Sequence, residues 1–334
     1  MEIVLSGIRS TGHLHLGNYY GALKNYIKMQ ENYNCYFFIA DLHSLTTHPH
    51  PDSLHAGVKT ILAEYLASGL DPEKSAIFVQ SDVPEISELY VLLNMITYKG
   101  ELERTASFKD KVRLNPNNVN AGLLTYPVLM AADILIHRAN LVPVGKDQEQ
   151  HLEVARLLAR RFNSMYNSEI FPEPKAFNFG NDLVKVPGLD GSGKMGKSEG
   201  NGVYLFDDEK TITKKVMRAV TDSGPTEPNS TMEEPIANLF TLLKIVSSPS
   251  TVAHFTESYN NCTIRYGDLK KQLAQDICNQ TLPIKAKIEE IYNDDTYLRK
   301  VVARGTERAR ESAQATMKEV KKAVGFKSFL KFDD

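Results

Sequence analysis

Apolar runs and apolar periodicities alternate through the first two-thirds of the chain. Ile3–Leu5 is a short apolar run that predicts a strand. Gly17–Gln30 carries Leu23, Tyr26 and Ile27 at helical spacing. Cys35–Ala40 (CYFFIA) is continuously apolar, as a parallel strand covered on both faces requires. Ser53–Leu70 predicts a helix that stops near Gly69, with Asp71-Pro72 behind it. Ala76–Gln80 predicts a third strand and Glu85–Thr97 a third helix. Gly100–Val112 and Gly122–Arg138 read as further helices, Leu141–Val144 as a fourth short strand, and Asp147–Tyr166 as a long amphipathic helix. From Phe171 to Val203 Pro, Gly and Asn accumulate, which predicts irregular backbone.

Beyond Asp208 the spacing is helical almost throughout: Thr211–Val220, Ile236–Val246, Thr251–Tyr259, Leu269–Tyr292 and Thr296–Val324. The fold class is therefore α/β, a parallel sheet covered by helices, followed by an all-helical part. The break falls near residue 205, and no internal repeat is visible.

Composition changes this picture little. A chain of 334 residues with 42% hydrophobic and 24% charged positions is an ordinary globular one, long enough for a large domain and a smaller one. No apolar run approaches the roughly 18 residues that span a bilayer, and the first residues lack the basic and apolar regions of a secretory signal. Cys35, Cys262 and Cys278 are odd in number and far apart, which disfavours a disulfide framework or a zinc site and suits a reducing cytoplasm. Net charge is −2, but Arg299–Lys331 holds ten Lys/Arg against three Glu. That excess suits either a solvated amphipathic helix or a surface for nucleic-acid phosphates.

Two glycine-rich loops carry candidate chemistry. Gly7–Asn18 (GIRSTGHLHLGN) follows the first strand and opens the first helix, where a doubly wound sheet places its ligand. Gly7, Gly12 and Gly17 allow close backbone approach, the helix start offers free N–H groups to phosphate, and His15 stands beside it. His13 and His15 could instead pair on a metal, but no third ligand is evident. Gly188–Lys194 (GLDGSGK) fits the first seven positions of a P-loop, yet Met195 stands where Ser or Thr is needed. The following GKSEGNG will not hold the helix a P-loop opens. What remains is a glycine-rich loop with Lys194 and Lys197, suited to a polyphosphate.

Taken together the loops are more specific. His15–Asn18 (HLGN) resembles the HIGH signature of class I aminoacyl-tRNA synthetases, and Lys194–Ser198 (KMGKS) resembles their KMSKS signature. Asn18 stands in place of the last His, and Gly196 in place of the middle Ser. Gly100–Arg104 (GELER), Phe108–Lys111 (FKDK), Ala121–Leu135 (AGLLTYPVLMAADIL), Val142–Gln148 (VPVGKDQ) with His151, and Ala219–Ser223 (AVTDS) are similar to the bacterial tryptophanyl branch of that class.

The resemblance implies a Rossmann-like catalytic domain over 1–206 with a dimer-interface insertion at about 100–172. It also implies a helical anticodon-binding domain over 207–292, and a C-terminal helix over 293–334 returning to the catalytic part. It implies activation of L-tryptophan by ATP, with in-line attack of the carboxylate on the α-phosphate, then transfer to tRNA(Trp). It further implies a cytoplasmic homodimer, with Mg2+ carried by phosphates and water.

By the same resemblance, Asp133 accepts the indole N–H. Met130, Leu5, His43, Val142 and Val144 wall that pocket, and Tyr126 and Gln148 hold the ammonium end. Arg9, Ser10, Thr11, Gly17 and Asn18 line the nucleotide, with Gly145, Lys146, Asp147 and Val186 near ribose or adenine. His15, Asn18, Lys111, Lys194 and Lys197 would act on the phosphates, with Met195, Gly196 and Ser198 completing the loop. Relatives often carry Gln at Arg9 and Glu at Lys146. Read from residues alone, the alternatives are a tyrosyl enzyme of the same fold, a P-loop kinase, or an RNA-binding paralogue without activity.

Overall fold

The structure, a computed structural model, describes residues 1–114, 116–145, 149–177, 185–197 and 199–327, the side chains of 107 and 114 excepted. Among the described residues five parallel strands form one sheet: β1 (Ile3–Ile8), β2 (Asn34–Ile39), β3 (Ser75–Val79), β4 (Leu141–Val142) and β5 (Lys175–Ala176). Their order is β3-β2-β1-β4-β5, with Val4 beside Cys35 and Leu141, and Phe37 beside Ile77. The strand order turns back at β1, so the C-terminal ends of β1 and β4 flank the crevice where such sheets bind ligands.

Alternation along the strands splits the core into two layers. Val4, Phe37, Ile39, Ile77 and Val79 face one layer; Leu5, Tyr36, Phe38, Ala76 and Phe78 face the other. Both faces are covered, which is why the strands read as unbroken apolar runs. The first layer is roofed by the helical run after His15 and by α4 (Pro51–Ser68). That run comprises α1 (Leu16–Asn18), a π-helical segment Tyr19–Leu23 and α2 (Lys24–Met29). A short helix, α3 (Asp41–Ser44), follows β2 and was not anticipated. The second layer takes α5 (Pro84–Met95), α8 (Ala121–Ile136) and α9 (Glu149–Met165). Between them, the expected helix over 100–112 is two: α6 (Lys99–Glu103) and α7 (Ala106–Leu114). Thr105 breaks the run by turning its hydroxyl onto Leu102 O (2.8 Å), the local bond with which Thr competes against helix.

Helices α10 (Glu209–Met217), α11 (Glu234–Val246), α12 (Pro249–Asn260) and α13 (Tyr266–Tyr292) continue the first layer. The last helix, α14 (Asp295–Ala323), runs back along β3. Gly305 makes that possible, because a Cβ there would lie 1.9 Å from Ile77 O. Basic side chains of α14 fasten it down: Arg304 pairs with Glu73, Arg310 with Glu85 (3.1 Å) and Lys321 with Glu88 (2.8 Å), while Arg308 donates to Asn34 and to Lys74 O. Four charges of the basic excess are thus committed to docking, while Arg299, Lys300, Lys318, Lys322 and Lys327 are exposed. Among the described residues no helix is long and apolar enough to cross a membrane.

Candidate active site

β1 delivers the chain to the C-terminal edge of the sheet, and residues 9–15 cross that edge before α1. Arg9 is exposed and Ser10 is buried. Ser10 N–H and Oγ–H both donate to Ser44 Oγ (3.1 and 3.0 Å), which donates on to Ala40 O. The loop lies directly on α4: a Cβ at Gly57 would fall 2.0 Å from Ser10 O. Thr11 is half-buried, and Gly12 turns with φ of +61°, a conformation open to glycine.

His15 caps α1. Its Nδ1 accepts from Asn18 N–H (3.3 Å), and Asn18 Oδ1 accepts from His15 N–H (3.2 Å). The HLGN tetrapeptide therefore closes a capping box on itself, and Asn18 supplies the acceptor that box needs. Gly17 leaves room for the ring, since a Cβ there would meet it at 2.8 Å. Burial, aided by the charges of Lys197 and Lys194, lowers the His15 pKa to about 4. The ring is neutral at neutral pH, and with Nδ1 accepting, its proton sits on Nε2 as a donor.

The second loop is stitched to the first. Leu16 N–H donates to Val203 O (2.9 Å), Leu205 N–H donates to Leu14 O (2.8 Å), and His15 bridges Tyr204. Met195 is buried between them, 3.5 Å from where a Gly17 Cβ would be and 3.0 Å from a Gly202 Cβ. Val186 is buried and accepts from Met195 N–H (2.9 Å). Lys197 reaches across, donating to Thr11 O (2.6 Å) and Gly12 O (3.2 Å). Burial, with repulsion from Arg9, lowers its pKa to about 8 against an opposing pull from Glu64. Lys194 is exposed on the same loop. Gly196 N–H donates to Asn201 Oδ1 (3.0 Å), and Asn201 Nδ2–H donates to Asp190, Ser192 and Lys194 O. Among the described residues, the first helix after Lys194 begins only at Glu209, so the P-loop resemblance has no structural counterpart.

The other candidates gather in the second core layer. Asp133 on α8 is buried; its Oδ1 accepts from Gln80 Nε2–H (2.7 Å) and its Oδ2 lies 2.8 Å from His43 Nε2. Burial pushes its pKa up, and the two hydrogen bonds oppose that. Leu5 and Val142 are buried in the same layer, with Val144 and Met130 half-buried against it. Met130 shares a helix face with Asp133, three residues away. Tyr126, also on α8, places its hydroxyl 2.7 Å from His151 Nε2. Lys111 Nζ sits 3.5 Å from the centre of the Tyr126 ring, and burial plus repulsion from Arg9 lowers its pKa to about 8. The charge of Arg9 thus acts in the same direction on Lys111 and on Lys197. Gly145 follows β4, half-buried. Lys146, Asp147, Gln148 and Ser198 lie outside the described residues.

Sequence reading gave no role to Gln80, Glu64, His151 or Asn201. Gln80 and Glu64 are fully buried in segments whose neighbours are apolar, and only a polar residue in an apolar strand end or helix face could have flagged them. A groove of about 780 Å³ between α11 and α12, edged by Lys244, Val252 and Asn260, is far from this constellation and gathers no comparable chemistry.

A β1-first parallel sheet with these two stitched loops defines a class I synthetase site, and a family model for class I tRNA synthetases (W and Y) matches residues 2–281. The tryptophan–tRNA ligase of Porphyromonas gingivalis is 65% identical over 98% of this chain and 100% of its own length. That of Rickettsia bellii is 42% identical over 97% and 99%. The tryptophanyl-tRNA synthetase of Campylobacter jejuni, solved with ADP and tryptophan, superposes with a TM-score of 0.86 at 35% identity, covering 97% of this chain and 100% of that one. The chain belongs to the tryptophan–tRNA ligases, enzymes of class I.

Proposed function

We propose that the chain activates L-tryptophan with ATP, forming tryptophanyl-adenylate and pyrophosphate, and then passes tryptophan to the 3′ ribose of tRNA(Trp). The observation that carries this reading is the stitching of the His15–Asn18 loop to the Lys194–Lys197 loop, through Leu14–Leu16 against Val203–Leu205 and Lys197 Nζ on the Thr11 and Gly12 carbonyls. Tryptophan sits with its indole N–H on Asp133 and its ring against Met130, Leu5, His43, Val142 and Val144. Tyr126 and Gln148 hold its ammonium end. ATP lies along Arg9–Thr11, Gly17 and Asn18, with Gly145, Lys146, Asp147 and Val186 at its nucleoside. The carboxylate attacks the α-phosphate in line, and charge develops on the leaving pyrophosphate. Lys197 leaves the Thr11 and Gly12 carbonyls to meet that charge, joined by Lys194 and Lys111, with Met195, Gly196 and Ser198 shaping the loop. Neutral His15 donates Nε2–H to a phosphate oxygen. Positioning and fixed charge supply the catalysis, and no residue forms a covalent bond to substrate.

Mg2+ would accompany ATP, held by its phosphates and water, and would help meet the charge of the leaving pyrophosphate. We assign 1–206 to the catalytic domain, with about 100–172 as the dimer insertion. Residues 207–292 bind the anticodon, and 293–334 return to the catalytic part with the exposed cations of α14 toward tRNA. A homodimer is supported by Val91, Met95 and Tyr98, apolar side chains left exposed at and just beyond the end of α5. We place the enzyme in the cytoplasm. Charging of tRNA with labelled tryptophan tests the reading: ATP-dependent, tryptophan-selective charging is expected, and its absence with an active tRNA preparation would overturn it.

A further inference from the structure

Glu64 is a buried acid that the proposed chemistry does not use. It lies on α4, with no exposed surface, under the first signature loop. Its Oε2 accepts from Leu14 N–H (2.9 Å), and its Oε1 lies 2.8 Å from His13 Nδ1. Leu14 is the residue whose carbonyl accepts from Leu205 N–H of the second loop, and His15 follows it directly. The opposite face of His13 is not loose either: its ring stacks on Phe206 at 4.8 Å, 2° from parallel. Phe206 in turn carries Lys285 of α13 over its face at 4.8 Å. A buried carboxylate is costly unless its oxygens are satisfied, and both are committed to one short segment of loop.

We propose that Glu64 is a positioning residue for adenylate formation: its carboxylate anchors residues 13–14, so setting the His15 cap, and supplies the counter-charge that keeps Lys197 poised over Thr11 and Gly12. This rests on the adenylate-forming role proposed for the two loops. Lys197 lies on the Thr11 and Gly12 carbonyls, next to the His13–Leu14 segment that Glu64 holds; Arg9 opposes its charge and Glu64 favours it, while Lys197 and Lys194 both act on the His15 ring. Glu64 is the anion in that set: burial pushes its carboxyl up, the bonds to His13 and Leu14 N–H and the charge of Lys197 oppose that, and its charge in turn favours the Lys197 ammonium against burial. Removing the charge weakens the hold on Lys197 in the conformation that awaits pyrophosphate. Removing only its reach loosens Leu14 while leaving the charge in place.

The test is Glu64→Gln and Glu64→Asp in the full chain, read by tryptophan-dependent pyrophosphate exchange across pH and by direct tryptophan binding. Glu64→Gln is expected to lower kcat by about tenfold or more, leave tryptophan affinity within twofold, and move the alkaline limb of kcat to lower pH. Glu64→Asp is expected to lower kcat while the alkaline limb stays where the wild type has it. In a Lys197→Met background, Glu64→Gln should cost much less than it does alone, because the two act through one another. Wild-type kcat and pH profile in Glu64→Gln would overturn the proposal, as would equal losses in tryptophan affinity and kcat in both variants. Should Glu64→Gln fail to fold, Glu64→Asp decides it alone: unchanged kcat contradicts the anchor. Failure of the wild type itself to exchange would instead remove the adenylate reading on which the proposal stands.

Discussion

Replacing Asp133 by Asn tests the contact proposed for the indole N–H. The carboxylate has two oxygens, one accepting from Gln80 Nε2–H (2.7 Å) and one 2.8 Å from His43 Nε2. An Asn keeps shape and volume. Its Oδ1 still accepts from Gln80, and its Nδ2–H can donate to His43 once that ring takes its other tautomer, so the local network survives. What is lost is the charged acceptor for the indole N–H. Hydrogen bonds to a charged group contribute about 1.5–3 kcal/mol, which converts to a loss of roughly 10- to 150-fold in tryptophan affinity. Asp133 is hydrogen-bonded to Gln80 and His43, neither of which is assigned to ATP, so the KM for ATP should stay within twofold. The chain contains no tryptophan, so fluorescence excited at the red edge of indole absorption reports the ligand alone. Titration of that signal gives the dissociation constant directly, with circular dichroism to check the fold. A folded Asp133→Asn enzyme that binds tryptophan as tightly as wild type would falsify the indole contact.

Two stability predictions follow from buried groups away from the site. His137 is fully buried, stacked on Tyr36 at 4.7 Å and 3.3 Å from Ser312 Oγ, with Nε2 unpaired, and burial lowers its pKa to about 3. The unfolded chain takes up a proton near pH 6.5 that the folded state refuses. Stability from this group is therefore complete above pH 6.5 and drains as pH falls toward about 3. The slope reaches about 1.4 kcal/mol per pH unit, and His137→Phe should flatten the acid limb of the unfolding free energy from urea titrations by that much; identical slopes would contradict it. Gly305→Ala should destabilise by about 1–3 kcal/mol, because its Cβ would meet strand backbone at 1.9 Å, whereas an unpacked helix would gain about 1 kcal/mol from the same change. A rise in the urea midpoint would show that α14 does not lie as described.

The parts of the fold legible in sequence are those where the local pattern and the tertiary role agree. CYFFIA reads as a strand because both of its faces are buried, and Ser53–Leu70 reads as a helix with its stop because Gly69 ends it at φ of +113°. The elements missed are too short to carry a period. α3 is one turn, and β5 is two residues in a stretch dominated by Pro and Gly, fixed by pairing Leu141 with Lys175. The basic run after Arg299 suits a solvated helix or a surface for phosphate; that Arg304, Arg308, Arg310 and Lys321 hold the helix to the α/β part is not legible, since a charge count does not show which partners come opposite. The signature loops were visible as motifs, but their stitching through Leu14–Leu16 and Val203–Leu205 joins segments far apart in sequence. Glu64 and Gln80 escaped for the same reason: each acquires meaning only from the residue that folding sets against it.

Pyrophosphate exchange into ATP, driven in turn by each of the proteinogenic amino acids, addresses most directly what this site selects and does. Tryptophan alone should support exchange at a rate well above background, with tyrosine and phenylalanine near zero, because a site built to satisfy an indole N–H rejects rings that leave its acceptor unpaired. Exchange driven by tyrosine as well as tryptophan, or by neither, would contradict it.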